Sequence, residues 1–356
     1  FDVDGLEVIG ALPEGLAGTY VRNGFNPRTG FSPHWFFGHG MLHAVDLDGE
    51  GGARYHNRYV DTPFKDHDGS GIDWVLDPEC SPANTHVVRH NGRWLALEEQ
   101  HQPYALDDGL GTLGVEDFGG AVTSTFTAHP KLCPVTGELL AFGYSVMTEP
   151  FITYFRIGPT GEVLAVEPVE IPNPVMMHDW NVTENHVVFM DLPVRFGLER
   201  AMAGDMPFGW HPESGARLGV MPRNGTNADV TWHDIEPCYV FHPLNAYEDG
   251  DTIELVVCRQ DRAMAAGFDD IESARAHLWR WSIDQATGTV TETQLDDRIA
   301  DFPRVDDRLV GLDSRYGYLT EIREEPGIGA AIGAELYKYD LRTGAVETHT
   351  TNATTR

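Results

Sequence analysis

The sequence predicts an all-β protein, and the repeats within it favour a β-propeller. Short β-rich segments separated by turn dipeptides such as Asn91-Gly92 and Asp249-Gly250 run along the chain. Three segments share one pattern, an aromatic-rich strand, a polar turn ending in Thr-Gly and the start of a second strand: Thr153–Val163, Leu278–Val290 and Leu336–Val346. Such repeated hairpins are typical of the outer strands of propeller blades. A β-sandwich also contains repeated hairpins and stays the alternative.

The individual elements follow from the same local signals. Strands are predicted at Gly18–Asn23, Arg54–Val60, Arg93–Leu97, His186–Met190 and Thr252–Val257. Helical periodicity is scarce, and it predicts two short helices, Glu199–Met206 and Ile271–His277. No Gly/Ser-rich or Pro-rich linker divides the chain, so we expect one propeller domain over residues 1–356.

Composition excludes several classes of protein. The 356 residues include 55 acidic and 25 basic side chains, and a formal net charge of −30 argues against a nucleic-acid partner. The four cysteines form no C-x-x-C pair, which favours reduced thiols in a cytoplasmic protein. No apolar run reaches the length of a membrane-spanning helix. Because the chain begins at Phe1 rather than Met, we expect it to be trimmed at its front.

Three histidines stand in similar local settings and are candidate metal ligands. They are His129 in TAHPK, His178 in MHDW and His242 in FHPL, separated by 49 and 64 residues. In a propeller the innermost strands of successive blades face one axis, so side chains far apart in sequence converge there. Imidazole suits iron, copper, nickel and zinc, so the ligand type alone does not name the metal. The alternative is three unrelated histidines beside strand ends.

A second histidine cluster is a weaker candidate. His34, His39 and His43 lie close together, but the flanking glycines and the strand-like context disfavour the helix that would place His39 and His43 on one face. His233 in WHDIE is weaker still.

Seven motifs in order resemble the carotenoid cleavage oxygenases, a family with apocarotenoid-cleaving, stilbenoid-cleaving and retinoid-isomerising members. The resemblance runs from about Gly10 to the end of the chain. Its motifs are GTYVRNGFNPR (from Gly18), WFFGHGMLHAVDLDG (from Trp35), ANT (from Ala83), TAHPK, MHDW, FHPLNAYEDG and FPR (from Phe302).

The resemblance implies a seven-bladed propeller with Fe(II) held on its axis by four histidines, under a dome of loops and short helices. His129, His178 and His242 match the first three ligands. The fourth has no counterpart before Arg356, and His349 lies in no similar motif. We therefore expect the chain to be truncated at its C-terminus, with its last blade incomplete.

The resemblance also implies residues that support the ligands. Glu99 matches a carboxylate that would hydrogen-bond His178, and Asp301 stands where the family has a glutamate that would support His242. Asp is one methylene shorter, so we expect its bond to His242 to be long or water-mediated. Thr85 in the ANT motif matches a threonine near the oxygen site; the alternative is a hydroxyl that caps a turn. On a strand, Glu98 and Glu99 would point to opposite faces.

The activity implied is Fe(II)-dependent cleavage of a double bond by O2, giving two carbonyl products. An apolar conjugated substrate needs an apolar tunnel, for which these side chains are available: Phe36, Phe37, Phe64, Trp180, Phe196, Met202, Met206, Phe208 and Trp210. The segment Phe196–Trp210 is long enough for a dome. An apolar mouth would allow transient contact with a membrane surface, which the negative charge opposes for anionic lipid. We expect a monomer.

Substrate class rests on one residue. Stilbenoid-cleaving relatives carry a lysine directly before the first supporting glutamate, and here that residue is Glu98, which would repel a phenolate. This favours a carotenoid or apocarotenoid, with stilbenoid cleavage as the alternative. A hypothesis of another class is an iron-free propeller that binds an apolar ligand or a partner protein.

Overall fold

The computed structural model describes residues 1–28, 30, 38–67, 73–203, 206–265, 275–325 and 329–351. The chain divides into two units, the first made of residues 1–130, 141–143 and 157–164, and the second of residues 131–140, 144–156 and 165–356. Regular structure in both is mainly antiparallel β-sheet.

The first unit contains two complete four-stranded sheets. Their orders are β1-β4-β3-β2 and β5-β6-β7-β8. The strands are β1 (Asp2–Val3), β2 (Ala17–Phe25), β3 (Gly40–Asp48), β4 (Ala53–Tyr59), β5 (His86–His90), β6 (Arg93–Leu97), β7 (Tyr104–Leu106) and β8 (Thr112–Val115). A 3-10 turn at Pro63–Asp66 and helix α1 (Asp73–Leu76) connect the two sheets along the chain. Apolar side chains from both sheets, including Leu42, Ala96 and Leu106, form one buried cluster.

Residues 131–169 form a third four-stranded sheet of order β12-β11-β10-β9. Its strands are β9 (Lys131–Leu132), β10 (Leu139–Tyr144), β11 (Ile152–Ile157) and β12 (Val163–Val169). Each strand pairs with its neighbour in sequence, which is the meander of a propeller blade.

The second unit contains three further four-stranded sheets. Their orders are β13-β14-β17-β18, β19-β20-β21-β22 and β23-β24-β25-β26, and a two-stranded ribbon β15-β16 is inserted in the first of them. The strands are β13 (Asn181–Val182), β14 (His186–Asp191), β15 (Val194–Phe196), β16 (Phe208–Trp210), β17 (Ala216–Pro222), β18 (Thr231–Ile235), β19 (Tyr239–Asp249), β20 (Thr252–Gln260), β21 (His277–Asp284), β22 (Val290–Gln294), β23 (Ala300–Arg304), β24 (Tyr316–Glu325), β25 (Gly329–Asp340) and β26 (Val346–Thr350).

Short helical pieces complete this unit. They are helix α2 (Leu198–Ala203) and 3-10 turns at Pro212–Ser214, Asn227–Asp229 and Asp307–Leu309. The main apolar cluster joins the last two sheets through buried residues such as Leu244, Leu319 and Tyr337.

The all-β class and the blade pattern are confirmed, with six four-stranded sheets in the part of the chain that the structure describes. The three Thr-Gly hairpins are the third and fourth strands of their sheets: β11–β12, β21–β22 and β25–β26. Helix α2 lies within one residue of its predicted start. The other predicted helix, Ile271–His277, falls largely outside the described residues, and His277 begins β21. A seventh blade and the dome stay predictions.

A buried cation in the second unit has a thiol as its neighbour. Arg223 is 8% exposed, and its Nη1 donates to Cys133 Sγ at 3.0 Å. Burial by itself would raise the pKa of the Cys133 thiol, but hydrogen bonds from Thr136 and Arg223 outweigh burial and lower it. A hydrogen bond from Arg223 to Cys133 Sγ therefore holds the turn between β9 and β10 in place.

Helices in the described part of the chain lack the length and apolar character needed to span a bilayer.

Candidate metal centre

The candidate residues share one position in their sheets. Thr85 directly precedes β5, His129 lies two residues before β9 and His178 three residues before β13, while His242 lies in β19 and Asp301 in β23. Each of these strands is the first of its four-stranded sheet and forms one of its edges. His242 and Asp301 therefore lie within such edge strands, and Thr85, His129 and His178 lie just before them.

His178 and His242, two of the three candidate ligands, lie close together in the second unit, whereas His129 belongs to the first unit. The Nε2 atoms of His178 and His242 are 3.2 Å apart. Two imidazole nitrogens this close can share one hydrogen, or both can be ligands of one cation.

A β-bulge directs His242. The pairing of β19 with β20 shifts between Val240 and Pro243, so that Phe241 and His242 together oppose Cys258. A bulge of this kind bends the strand and redirects a side chain out of the regular alternation. The Phe241 ring stands edge-on to the His178 ring, with the ring centroids 5.4 Å apart. The bulge thus packs Phe241 against His178 and places the His242 imidazole next to both.

Asp301 contacts His242 directly. Asp301 Oδ1 lies 3.0 Å from His242 Nδ1, and both side chains are largely buried. The expectation of a long or water-mediated bond is therefore wrong, because β23 brings the shorter side chain close enough. A carboxylate accepts, so Nδ1 carries the hydrogen and Nε2 keeps its lone pair for a metal.

No role was predicted from the sequence for two residues beside Asp301, namely Cys258 and Phe302. The Cys258 thiol is fully buried, and burial together with the neighbouring Asp301 carboxylate raises its pKa well above the usual value. Phe302 has a left-handed backbone with φ of 54°, and its ring centroid lies 5.1 Å from that of His242. The FPR motif was a visible signal for Phe302, whereas nothing in the sequence connected Cys258 with Asp301.

An ion pair fixes the segment that carries His178. Lys131 Nζ in β9 lies 2.7 Å from Asp179 Oδ1, and Asp179 Oδ1 also accepts the backbone N–H of Trp180. Asp179 is almost fully buried, so the pair is shielded from solvent. Asp179, the residue next to His178, is thus held by Lys131 and by the backbone N–H of Trp180.

Glu98 directly follows β6, and Glu99 lies in the turn after it. Because the chain turns here, the alternation of faces does not apply. The Glu98 carboxylate contacts His101 Nδ1 and accepts the backbone N–H of Gln100. Glu99 is half-buried, and its support of His178 stays a prediction.

Thr85 is exposed at the start of β5, and its hydroxyl donates to Asn84 Oδ1 at 3.1 Å. Ala83, two residues before Thr85, has a left-handed backbone with φ of 48°. A hydroxyl bonded within its own turn agrees with the turn-capping alternative, and the role near the oxygen site stays a prediction.

The weaker histidine candidates are engaged elsewhere. His43 contacts Tyr55 Oη and Asn26 Oδ1, His39 accepts the backbone N–H of Arg28, and His233 contacts the Gly288 carbonyl. His34 lies outside the described residues.

The apolar side chains expected along a tunnel differ widely in exposure. Phe64 and Trp180 are fully buried, and Trp180 packs on Tyr154 and Phe189 in the core. Met202 in α2 is 81% exposed. Phe36 and Phe37 lie outside the described residues.

Comparison with known proteins assigns the family. A family model described as RPE65, retinal pigment epithelial membrane protein, matches residues 1–355. The chain is 38% identical to a carotenoid cleavage oxygenase of Mycobacterium tuberculosis (96% of this chain, 79% of the relative). It is 35% identical to carotenoid 9,10(9',10')-cleavage dioxygenase 1 of Arabidopsis thaliana (96% and 70%).

A solved structure supports the same assignment. The lignostilbene dioxygenase of Pseudomonas brassicacearum has a TM-score of 0.88 and 30% identity to this chain, covering 99% of this chain and 81% of that one. The chain therefore belongs to the family of RPE65 and the carotenoid cleavage oxygenases, whose homologues are oxygenases.

Proposed function

We propose that this protein is a non-haem Fe(II) dioxygenase that cleaves a carbon–carbon double bond of a carotenoid or apocarotenoid to give two carbonyl products. The observation that carries the proposal is the His178–His242 pair, whose Nε2 atoms are 3.2 Å apart while Asp301 holds the far nitrogen of His242. His129 would supply the third ring nitrogen.

The chemistry of the donor set fits iron. Neutral imidazoles are suitable ligands for Fe(II), and a carboxylate on the far ring N–H fixes the tautomer and makes the ligating nitrogen more basic. His129, His178 and His242 would hold the metal, Asp301 would orient His242, and Glu99 would orient His178. Iron bound there would supply the activation of O2.

The other residues would hold the substrate and limit its surroundings. Phe241 and Phe302 pack against His178 and His242, so their rings offer apolar surface beside the metal position. Thr85 would restrict access for oxygen. The net reaction moves no proton, so we assign no general acid or base.

The activities for which relatives are named support the substrate class. Two curated relatives, from Mycobacterium tuberculosis and Arabidopsis thaliana, are named for carotenoid cleavage. The second candidate is stilbenoid cleavage, because the lignostilbene dioxygenase shares 30% identity over nearly the whole chain. Glu98 disfavours a phenolic substrate less than its charge suggests, because its carboxylate contacts His101 within the same turn.

Metal analysis and a substrate panel test the proposal. The protein is purified without oxygen or chelators, iron per chain is measured, and turnover is followed by oxygen uptake and product identification with an apocarotenal and a hydroxystilbene. About one iron per chain with apocarotenal cleavage is the expected result. Cleavage of the stilbene alone would establish the second candidate, and failure to retain iron after Fe(II) reconstitution would favour the iron-free binding protein.

We further propose a cytoplasmic monomer that obtains its apolar substrate through transient contact with membrane surfaces. The formal charge of −30 opposes adsorption to anionic lipid. Sedimentation with neutral but not anionic vesicles, and a monomer mass in solution, are the expected results.

A further inference from the structure

The buried His101 has a hydrogen-bond acceptor at each ring nitrogen. Its Nδ1 contacts the Glu98 carboxylate, and its Nε2 lies 3.1 Å from the backbone carbonyl of Trp74. A carbonyl oxygen only accepts, so Nε2 carries a hydrogen, and an ionised carboxylate requires a second hydrogen on Nδ1. The geometry thus suits the doubly protonated imidazolium.

The surroundings hold this ring in place. His101 is 1% exposed, and the Trp74 indole of α1 stacks on it with ring centroids 5.6 Å apart and planes 13° apart. The backbone carbonyl of His101 accepts the backbone N–H of Phe126. Stacking on an indole face also favours a cation.

Two carboxylates act on His101, Glu98 from its own turn and Asp77 from the segment after α1. Burial opposes the charged ring, but Glu98, the Trp74 carbonyl and Asp77 together outweigh burial and raise the pKa of His101 above its usual value. The stabilisation is therefore present below the pKa of an unfolded histidine, about 6.5, and is lost as pH rises through the raised pKa of the folded state.

The side chain of Glu98, the partner of His101, is largely buried. It is 14% exposed, and Oε2 accepts from both His101 and the backbone N–H of Gln100, 3.0 Å away. The contact closes the turn from residue 98 to residue 101, and Glu99 lies inside that turn.

We propose that His101 is a positioning residue, which pairs with Glu98 as an imidazolium and thereby sets the direction of Glu99. The inference rests on the proposed function, because it assigns Glu99 to the support of a metal ligand. It also takes Glu98 out of the set of groups able to meet the substrate.

A double-mutant cycle tests the pair. Glu98→Gln or His101→Gln alone leaves one charge buried without its partner, whereas the double variant replaces the ion pair by two neutral amides. Each single variant should weaken Fe(II) binding roughly tenfold, and the double variant should recover to within about threefold of the wild type. Binding is measured by anaerobic competition with a chelator.

Glu248→Gln with His186→Gln is the matched control. These side chains form a similar pair, with His186 Nδ1 3.0 Å from Glu248 Oε1, and neither is a candidate metal ligand. Variants of this pair should change thermal stability and leave Fe(II) affinity unchanged. The pH dependence is a second readout. The wild type should lose melting temperature relative to the Glu98→Gln/His101→Gln variant as pH rises above 7, since only the wild type loses a stabilising charge.

The outcomes separate this inference from the proposed function. Coupling in melting temperature without coupling in Fe(II) affinity would show a purely structural pair and overturn the positioning role. Equal Fe(II) affinities in the single variants and the wild type would overturn it as well. A wild-type protein that binds no Fe(II) would instead overturn the proposed function, while the pH effect on melting temperature would still report whether His101 is charged.

Discussion

The hydrogen bond between Asp301 and His242 gives the sharpest prediction. Asp301→Ala removes the acceptor at 3.0 Å from His242 Nδ1, so the ring loses the group that keeps its Nε2 unprotonated. A hydrogen bond to a charged group contributes about 1.5–3 kcal/mol, and each 1.4 kcal/mol is tenfold in affinity, so Fe(II) binding should weaken by about 10- to 100-fold. Asp301→Asn keeps an acceptor without charge and should lose about tenfold.

The assay is anaerobic chelator competition with Fe(II), with iron per chain measured after desalting. Asp306→Asn is the matched control, because Asp306 lies five residues along the same segment and pairs with the exposed Arg308. It should bind Fe(II) like the wild type. Affinities of Asp301→Ala and Asp306→Asn that agree within about threefold, with both proteins folded, would refute the assignment of Asp301 to His242.

Three further predictions concern the site and the fold. His178→Ala should abolish iron retention and turnover, while His39→Ala should keep the metal, as shown by metal analysis. Cys133→Ser should lower the melting temperature, because a serine hydroxyl, unlike a thiol of lowered pKa, does not ionise beside the buried guanidinium. Since the thiol pKa is lowered in the fold, the difference should grow as pH rises from 6 towards the ordinary thiol pKa of about 8.5. Gly143→Ala should destabilise the fold by about 1–3 kcal/mol in denaturant unfolding, because a Cβ would lie 2.0 Å from the Thr125 carbonyl oxygen.

Each of these has a control or a contradicting outcome. Equal iron loss in His178→Ala and His39→Ala would place the metal elsewhere. Cys133→Asp should retain the stability that Cys133→Ser loses, and equal behaviour of the two would mean that the thiol is not ionised. Gly197→Ala should be nearly neutral, because its Cβ would meet flexible Arg200 atoms at 3.4 Å.

Local pattern determined much of the fold. Strand Arg93–Leu97 was predicted to the residue, and the Thr-Gly hairpins are β-hairpins because each combines a β-forming aromatic strand with a turn that its residues favour. The candidate ligands His129, His178 and His242 were also identified from sequence, since motif order and spacing are properties of the chain itself.

Local pattern did not determine the contacts that orient those ligands. The reach of Asp301 to His242 depends on bulges in β19 and β23, and a bulge is a property of two paired strands. The exit of the chain from β6 at Leu97 decided that Glu98 meets His101 and not the opposite face of a strand. Sequence thus determined the residue types and the sheets, whereas tertiary structure decided which side chains meet, because hydrogen-bond partners are set by distances of a few ångströms between segments far apart in the chain.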